Sequence, residues 1–238
     1  MDQPPFGLTV LVDKPLTWTS FDVVNKLRYT AKSVTGRKKI KVGHAGTLDP
    51  LATGLLIICV GSHTKTINEM VGLTKRYEGT FRLGSTTPSY DLETEPENQL
   101  SIPVKDIDLL EKSAQLFRGD IIQTPPIYSA KKVDGKKAYL MARKGKDIEM
   151  RPAPIHISSL EIEVTNYPDI DFKMECSKGT YVRSLAHDFG QAMGCGAHLA
   201  RLNRTQIGSF NLKDALSIEQ ASQFIELEYS NYLKTSVI

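Results

Sequence analysis

The run Leu55–Val60, "LLIICV", constrains the fold more than any other part of the sequence. It contains no polar side chain and follows a glycine-rich stretch, so it reads as a buried strand. The stretch leading into it, "HAGTLDPLATG" (His44–Gly54), has the glycine, threonine and proline of a tight loop. Asp49 is the only formally charged side chain between Val42 and Gly61. A lone carboxylate at the entrance to a core strand has two readings. It is a turn residue, since "TLDP" is good turn sequence, or it is a nucleophile or general base held beside apolar walls. In the second case it needs a fixed cation such as an arginine, or its pKa rises.

Around that strand the chain mixes helical and extended patterns without regular βαβ alternation, which predicts an α+β fold. "LTVLVDKP" (Leu8–Pro15) reads as a short strand stopped by proline. Ser20 is the expected N-cap of a helix through about Ala31, with Phe21, Val24 and Leu27 on one side. "KRYEGTFRLG" (Lys75–Gly84) places Tyr77, Gly79, Phe81 and Leu83 on one strand face. Val104, Ile107, Leu110, Ala114 and Phe117 recur at helical spacing. "IHISSLEIEV" and "IDFKMECS" read as paired strands, "TYVRSLAHDFGQAMG" as a helix closed by glycine, and "SIEQ" (Ser217–Gln220) as the capping box of a last short helix. The segment at about 124–152, with prolines flanking a basic, tyrosine-containing stretch of no clean period, reads as an insertion protruding from the body.

The bulk numbers narrow the chemistry. With 238 residues, 40% hydrophobic and 24% charged, the chain has ordinary globular composition and enough length for one or two domains. No apolar run approaches the roughly 20 residues of a membrane span, and "MDQPPFGLTVLVDKP" has neither the basic nor the apolar region of a secretory signal. Cys59, Cys176 and Cys195 are odd in number and lack CxxC spacing, so they read as free thiols in a reducing cytoplasm. Net charge is only +3, but the cations cluster. Lys26, Arg28, Lys32, Arg37, Lys38, Lys39 and Lys41 occupy a stretch without an acid, and Lys131, Lys132, Lys136, Lys137, Arg143, Lys144 and Lys146 form a second cluster interrupted by Asp134. Such stretches are either solvated loops or a surface for a polyanion. The sequence has no GxGxxG, GxxxxGK[ST] or GxSxG, which removes the usual basis for dinucleotide, P-loop and hydrolase-elbow chemistry. His44, His63, His156, His187 and His198 have no HExxH or CxxC partners, which argues against zinc and against a deaminase.

"GHAGTLDPLATGLLIICVG" resembles the catalytic motif of the TruB family of tRNA pseudouridine synthases. The resemblance continues through "KRYEGTFRLG", "QTPPIYSAKKVDGKKAY", "CSKGTYVRSLAHDFG" and "GCGAHLARLNRTQIG", in family order and up to about Leu216. It implies the pseudouridine-synthase fold, a mixed and mainly antiparallel sheet flanked by helices, with residues 1–216 as catalytic domain and 217–238 as a short helical tail. It implies an isomerase that flips the T-loop uridine, position 55 of elongator tRNAs, breaks its N1–C1′ bond and rejoins the base through C5. No metal or other cofactor is required for that. Asp49 matches the nucleophile, with attack at C1′ or C6 left open, and Arg183 the arginine that keeps it ionised. Tyr77 matches the tyrosine that stacks on the base and takes the C5 proton, while Tyr181 and Leu202 match pocket-lining residues. His44 matches the histidine that holds the extruded nucleotide, and Asp91 a polar residue near the pocket. Lys131, Lys132, Lys136 and Lys137 fall in a segment that closes over the T-stem-loop, with Arg37, Lys38 and Lys39 on the flanking basic stretch; both would contact RNA backbone.

Three departures stand out. Ala45 replaces a more common glycine or threonine, and "TTPSYDLET" differs from the acidic pattern usual at that pocket edge. The residues after Gly208 are too few and, with Glu219, Glu226 and Glu228, too acidic for the further RNA-binding domain of many relatives. A cytoplasmic monomer holding tRNA with its catalytic domain alone is expected. The competing readings are a tRNA-binding folding chaperone with incidental catalysis, and a base-releasing glycosidase. The latter lacks the second carboxylate such enzymes use.

Overall fold

The computed structural model describes residues 6–129, 131–133, 135–142, 144 and 148–234, with the side chains of Lys132 and Lys137 outside that set. The chain divides into two compact units, one formed by the chain up to Lys75 and from Asn203 onward, the other by Arg76–Leu202. In chain order the first unit contributes β1 (Gly7–Lys14), α1 (Ser20–Thr35), β2 (Val42–His44), β3 (Ala52–Gly61) and α2 (Ile67–Gly72). The second follows with β4 (Lys75–Leu83), α3 (Ile107–Gln115), β5 (Gly119–Gln123), β6 (Lys132–Val133), β7 (Lys136–Lys137), α4 (Ala138–Ala142), β8 (Ala153–Asn166), β9 (Asp169–Cys176) and α5 (Val182–Ala192). The boundary between units falls within β10 (Ala197–Ile207), and β11 (Phe210–Asn211) and α6 (Ile218–Lys234) complete the first.

In the first unit the strand order is β1-β3-β10, with β1 antiparallel to β3 from Gly7 opposite Gly61 to Lys14 opposite Gly54. The expected core strand is β3. Leu55 to Val60 are all 0% exposed because both faces are covered. Leu56, Ile58 and Val60 pack with Val23, Val24 and Leu27 of α1 and with Ile218, Ala221 and Ile225 of α6. Leu55, Ile57 and Cys59 face Ile207, Ile67 and Met70.

The first helix differs from expectation at both ends. Thr19 is its N-cap: the Thr19 hydroxyl accepts from the Asp22 amide at 3.0 Å, and the Asp22 carboxylate accepts from the Thr19 amide at 2.9 Å, a reciprocal capping box. Ser20 is therefore inside the helix and buried, and the helix runs on to Thr35, where Gly36 at φ 63° closes it. Phe21 is 60% exposed, and Val23 takes the core position expected for it. At the other end of the chain, Ser217 and Gln220 form the expected capping box, with the Gln220 amide donating to the Ser217 hydroxyl at 3.2 Å and the Ser217 amide to the Gln220 side chain at 2.9 Å. The helix it starts is 17 residues long rather than short.

In the second unit the order is β10-β4-β9-β8-β5. β8 and β9 pair antiparallel as expected, and β5 pairs antiparallel with β8. On β4 the side chains of Tyr77, Phe81 and Leu83 alternate inward, and Phe81 stacks on Phe172 at 4.2 Å between centroids. α3 is shorter than its apolar stripe. Asp106 caps it by accepting from the Leu109 amide at 3.1 Å, so Val104 lies outside the helix and is 90% exposed, and Ile107 is 53% exposed. Only Leu110 and Ala114 of that stripe are buried in the helix. The basic insertion carries the two-residue strands β6 and β7, paired antiparallel, and the single turn α4. Strands in a mixed sheet with flanking helices give the α+β class that the sequence predicts.

Candidate active site

Asp49 lies on the loop between β2 and β3 and is half-buried. Ala45 and Leu48 anchor the loop in the core. Between them and just beyond, the five successive carbonyls of Gly46 to Pro50 each have a donor. Gly46 O and Thr47 O accept from the two terminal nitrogens of Arg204 at 3.0 and 3.4 Å. Leu48 is pinned at both main-chain groups by Ser20, whose hydroxyl donates to Leu48 O at 3.0 Å and accepts from Leu48 N at 2.8 Å. Asp49 O accepts from Ala52 N at 3.1 Å, closing the turn, and Pro50 O accepts from Thr17 N at 2.9 Å. The Ser20 hydroxyl is available for this task because Thr19 takes the cap. A loop with five successive carbonyls satisfied has few alternative conformations of equal energy.

Two buried cations serve that loop. Lys14 is 0% exposed, and its ammonium donates to Trp18 O at 2.6 Å, Pro15 O at 3.0 Å and Pro50 O at 3.4 Å. Burial pushes its pKa down from 10.5 to about 8, against the opposing pull of the Asp49 carboxylate. Arg204 is 1% exposed and also donates from Nε to Leu55 O at 2.8 Å. His44, at the end of β2, is half-buried with an Nδ1 that lacks a hydrogen-bond partner. Burial first, and the charge of Arg204 second, hold its pKa below the usual histidine value, so it is neutral at pH 7.

In the second unit the structure joins two of the predicted residues. Arg183, on the first turn of α5, is buried and pairs with Asp91, Nε to Oδ2 at 3.6 Å. Its Nη1 donates to Ser89 O at 3.3 Å. Asp91 is held in turn: Oδ1 accepts from the Ser89 hydroxyl at 2.6 Å and the Glu93 amide at 3.0 Å. The unusual "PSYDLET" stretch thus builds a buried polar network in which Ser89 also contacts the Thr94 hydroxyl at 2.8 Å. Between them Tyr90 adopts φ 64°, a left-handed conformation costing a non-glycine residue roughly 1–2 kcal/mol, and stacks on His187 at 4.0 Å. Tyr181 is the N-cap of α5, and Gln123 grips its main chain, accepting from Tyr181 N at 2.8 Å and donating to Tyr181 O at 3.1 Å. Tyr77 on β4 and Leu202 on β10 are buried at 9% and 8% exposure.

Of the expected backbone-binding cations, Arg37, Lys38 and Lys39 are exposed just beyond Gly36. A shallow, open depression on the first unit is lined by Arg28, Lys41 and Thr64. Lys136 is exposed and Lys131 half-buried, its ammonium donating to Arg151 O at 3.3 Å. The Lys132 and Lys137 side chains, with Arg143 and Lys146, fall outside the described residues.

The residues that reading the sequence missed are Lys14, Ser20 as a loop clamp, and Arg204. A signal existed for two of them. Lys14 has the same strand parity as Val10 and Val12, and Arg204 the same as Leu202, so both are charged residues on inward-facing positions of apolar strands.

No described helix is long and apolar enough to cross a membrane. A sequence profile described as TruB family pseudouridylate synthase (N terminal domain) matches residues 32–182, and one described as tRNA pseudouridylate synthase B C-terminal domain matches residues 183–236. The chain is 50% identical to tRNA pseudouridine synthase B of Phocaeicola vulgatus, over 92% of this chain and 94% of that one. It is 51% identical to the protein of the same name from Flavobacterium johnsoniae, over 89% and 93%. Among solved structures, a chain in the crystal structure of a Cbf5–Nop10–Gar1 complex superposes with a TM-score of 0.68 at 25% identity; the match covers 98% of this chain and 57% of that longer one. With half its residues shared along nearly the whole length, and with the family's motifs sitting on the clamped loop and the buried arginine, this chain belongs to the TruB family of pseudouridylate synthases, which are isomerases.

Proposed function

We propose that the chain converts the T-loop uridine at position 55 of tRNA to pseudouridine in the cytoplasm, with Asp49 as the nucleophile. The observation that carries this reading is the clamped loop: one carboxylate on a turn with five successive bonded carbonyls, Gly46 to Pro50, served by two buried cations. A group that must meet one carbon of an extruded nucleotide gains most from such fixation, because a displacement of about 1 Å can cost a factor of 10² in rate. The name shared by its half-identical relatives supports tRNA as the substrate.

The reaction balances without a second substrate. The N1–C1′ bond breaks, the base turns within the site, C5 bonds to C1′, the C5 proton leaves and N1 gains one. A carboxylate suits the work because it can bond to carbon and later depart. Asp49 attacks, at C1′ or C6. Arg183 contributes a guanidinium that stays protonated at any working pH and favours the ionised carboxylate. Tyr77 stacks on the base and accepts the C5 proton. Neutral His44, Tyr181, Leu202 and Asp91 shape the nucleoside site. A uridine in a folded loop must first leave its stack, at a cost of a few kcal/mol. Phosphate contacts from Arg37, Lys38, Lys39 and the Lys131–Lys137 stretch offset that cost, and recognition is of loop shape and splayed bases, by a single copy of the chain.

The test is incubation with tRNA carrying tritium at C5 of uridine. Label released from position 55 alone by the wild type, and lost in an Asp49→Asn variant that still binds the T-arm, is the expected result. Wild-type release from another position refutes the site. Undiminished release by Asp49→Asn refutes the nucleophile, and tRNA refolding without release by the wild type restores the chaperone reading.

A further inference from the structure

We propose that Arg204 is a positioning residue for the Asp49 carboxylate, acting by clamping both ends of the loop that carries it. The inference rests on Asp49 being the reacting group. Arg204 heads the large side chains that are fully buried, and among the described residues its guanidinium donates to three main-chain carbonyls. Two of them, Gly46 O and Thr47 O, precede Asp49, and the third, Leu55 O, follows it on β3. One rigid planar fork therefore fixes the entry of the loop against its exit. Gly46 itself has φ 98°, a left-handed conformation that glycine adopts without strain.

A charged group is an expensive choice for such a place. Among the described residues no carboxylate pairs with Arg204, and a buried cation bonded only to neutral groups carries an uncompensated desolvation cost. A neutral donor could serve the same carbonyls without the cost of burying a charge. What the charge contributes instead is a field across the loop. It reaches far enough to lower the proton affinity of both His44 and Lys14, and the same field favours the ionised form of the only carboxylate on the loop. Arg204 thus holds the loop in shape and biases its carboxylate toward the nucleophilic form.

The experiment compares wild type with Arg204→Lys, which keeps the charge and loses the fork, and Arg204→Gln, which keeps a donor and loses the charge. Each is measured for urea unfolding, for T-arm RNA binding, and for single-turnover release of tritium from C5 as a function of pH. The expected result is cooperative unfolding, RNA binding within about threefold of wild type, and a single-turnover rate lowered about 10- to 100-fold in both variants. The acid limb of the rate profile should move to higher pH in Arg204→Gln only, a shift that a purely structural role would not produce. A folded Arg204→Lys variant that turns over at the wild-type rate overturns the proposal. So does the failure of both variants to fold, which would assign Arg204 to stability alone. If the wild type itself releases no label, the functional reading falls and this proposal with it; an active wild type matched by its variants sinks this proposal alone.

Discussion

Replacing Lys14 with methionine tests whether a buried cation beside the Asp49 loop is kept at a cost. The ammonium is fully shielded from water and bonded to three carbonyls. A pKa lowered from 10.5 to about 8 means that holding the charge at pH 7 costs the folded state about 3 kcal/mol, at 1.36 kcal/mol for each tenfold change. Methionine removes that cost. It also strips Trp18 O and Pro15 O of the Lys14 donor, at about 1–3 kcal/mol each, while Pro50 O keeps its bond from Thr17. The two effects nearly cancel at pH 7, so Lys14→Met should change stability by no more than about 3 kcal/mol in either direction. The pH dependence is the sharper quantity. The folded state loses the Lys14 proton near pH 8 and the unfolded chain only near 10.5, so between those values the unfolded state binds more protons and stability rises with pH. Below pH 8 both states are protonated and the full cost remains; above 10.5 it has gone. Urea unfolding at pH 7, 8, 9 and 10 should therefore show wild type gaining on Lys14→Met by up to about 3 kcal/mol across the window. A difference that stays flat from pH 7 to 10 would mean that Lys14 titrates normally and is not desolvated, and the reasoning would fail.

Three further outcomes are expected. Ser20→Ala leaves both main-chain groups of Leu48 without their partner, so urea unfolding should show a loss of about 2–4 kcal/mol and single-turnover chemistry should slow while T-arm affinity holds. Gly54→Ala should fail to give soluble, cooperatively unfolding protein, because Gly54 has φ 101° and a Cβ there would lie 2.4 Å from Arg204 O; normal stability by thermal unfolding would contradict that packing. Replacing Arg37, Lys38 and Lys39 together by alanine should reduce the slope of log affinity against log salt by about 2–3, and an unchanged slope in filter binding would remove them from the RNA surface.

How much of this was legible in the sequence follows from the range of the forces involved. The core strand Leu55–Val60 could be read as buried because an all-apolar run needs only local composition, and the structure covers it on two faces. The α1 N-terminus was placed one residue late because Thr19 and Ser20 are both good caps, and only the distant demand of Leu48 decides which hydroxyl turns inward. The apolar period through Val104 and Ile107 overran its helix because a capping aspartate at 106 outranks two exposed apolar side chains. The same division holds at the candidate site. Asp49 was conspicuous because nothing else near it in sequence is charged. The clamp around it was not, since its donors come from Ser20, 28 positions from Leu48, from Lys14, 36 from Pro50, and from Arg204, 158 from Gly46. A lone carboxylate announces itself by contrast with its neighbours, whereas what holds its loop still is contributed by strands whose pairing no local pattern encodes. Inward-facing charge on an otherwise apolar strand is the one local trace such a device leaves, and Lys14 and Arg204 both carry it.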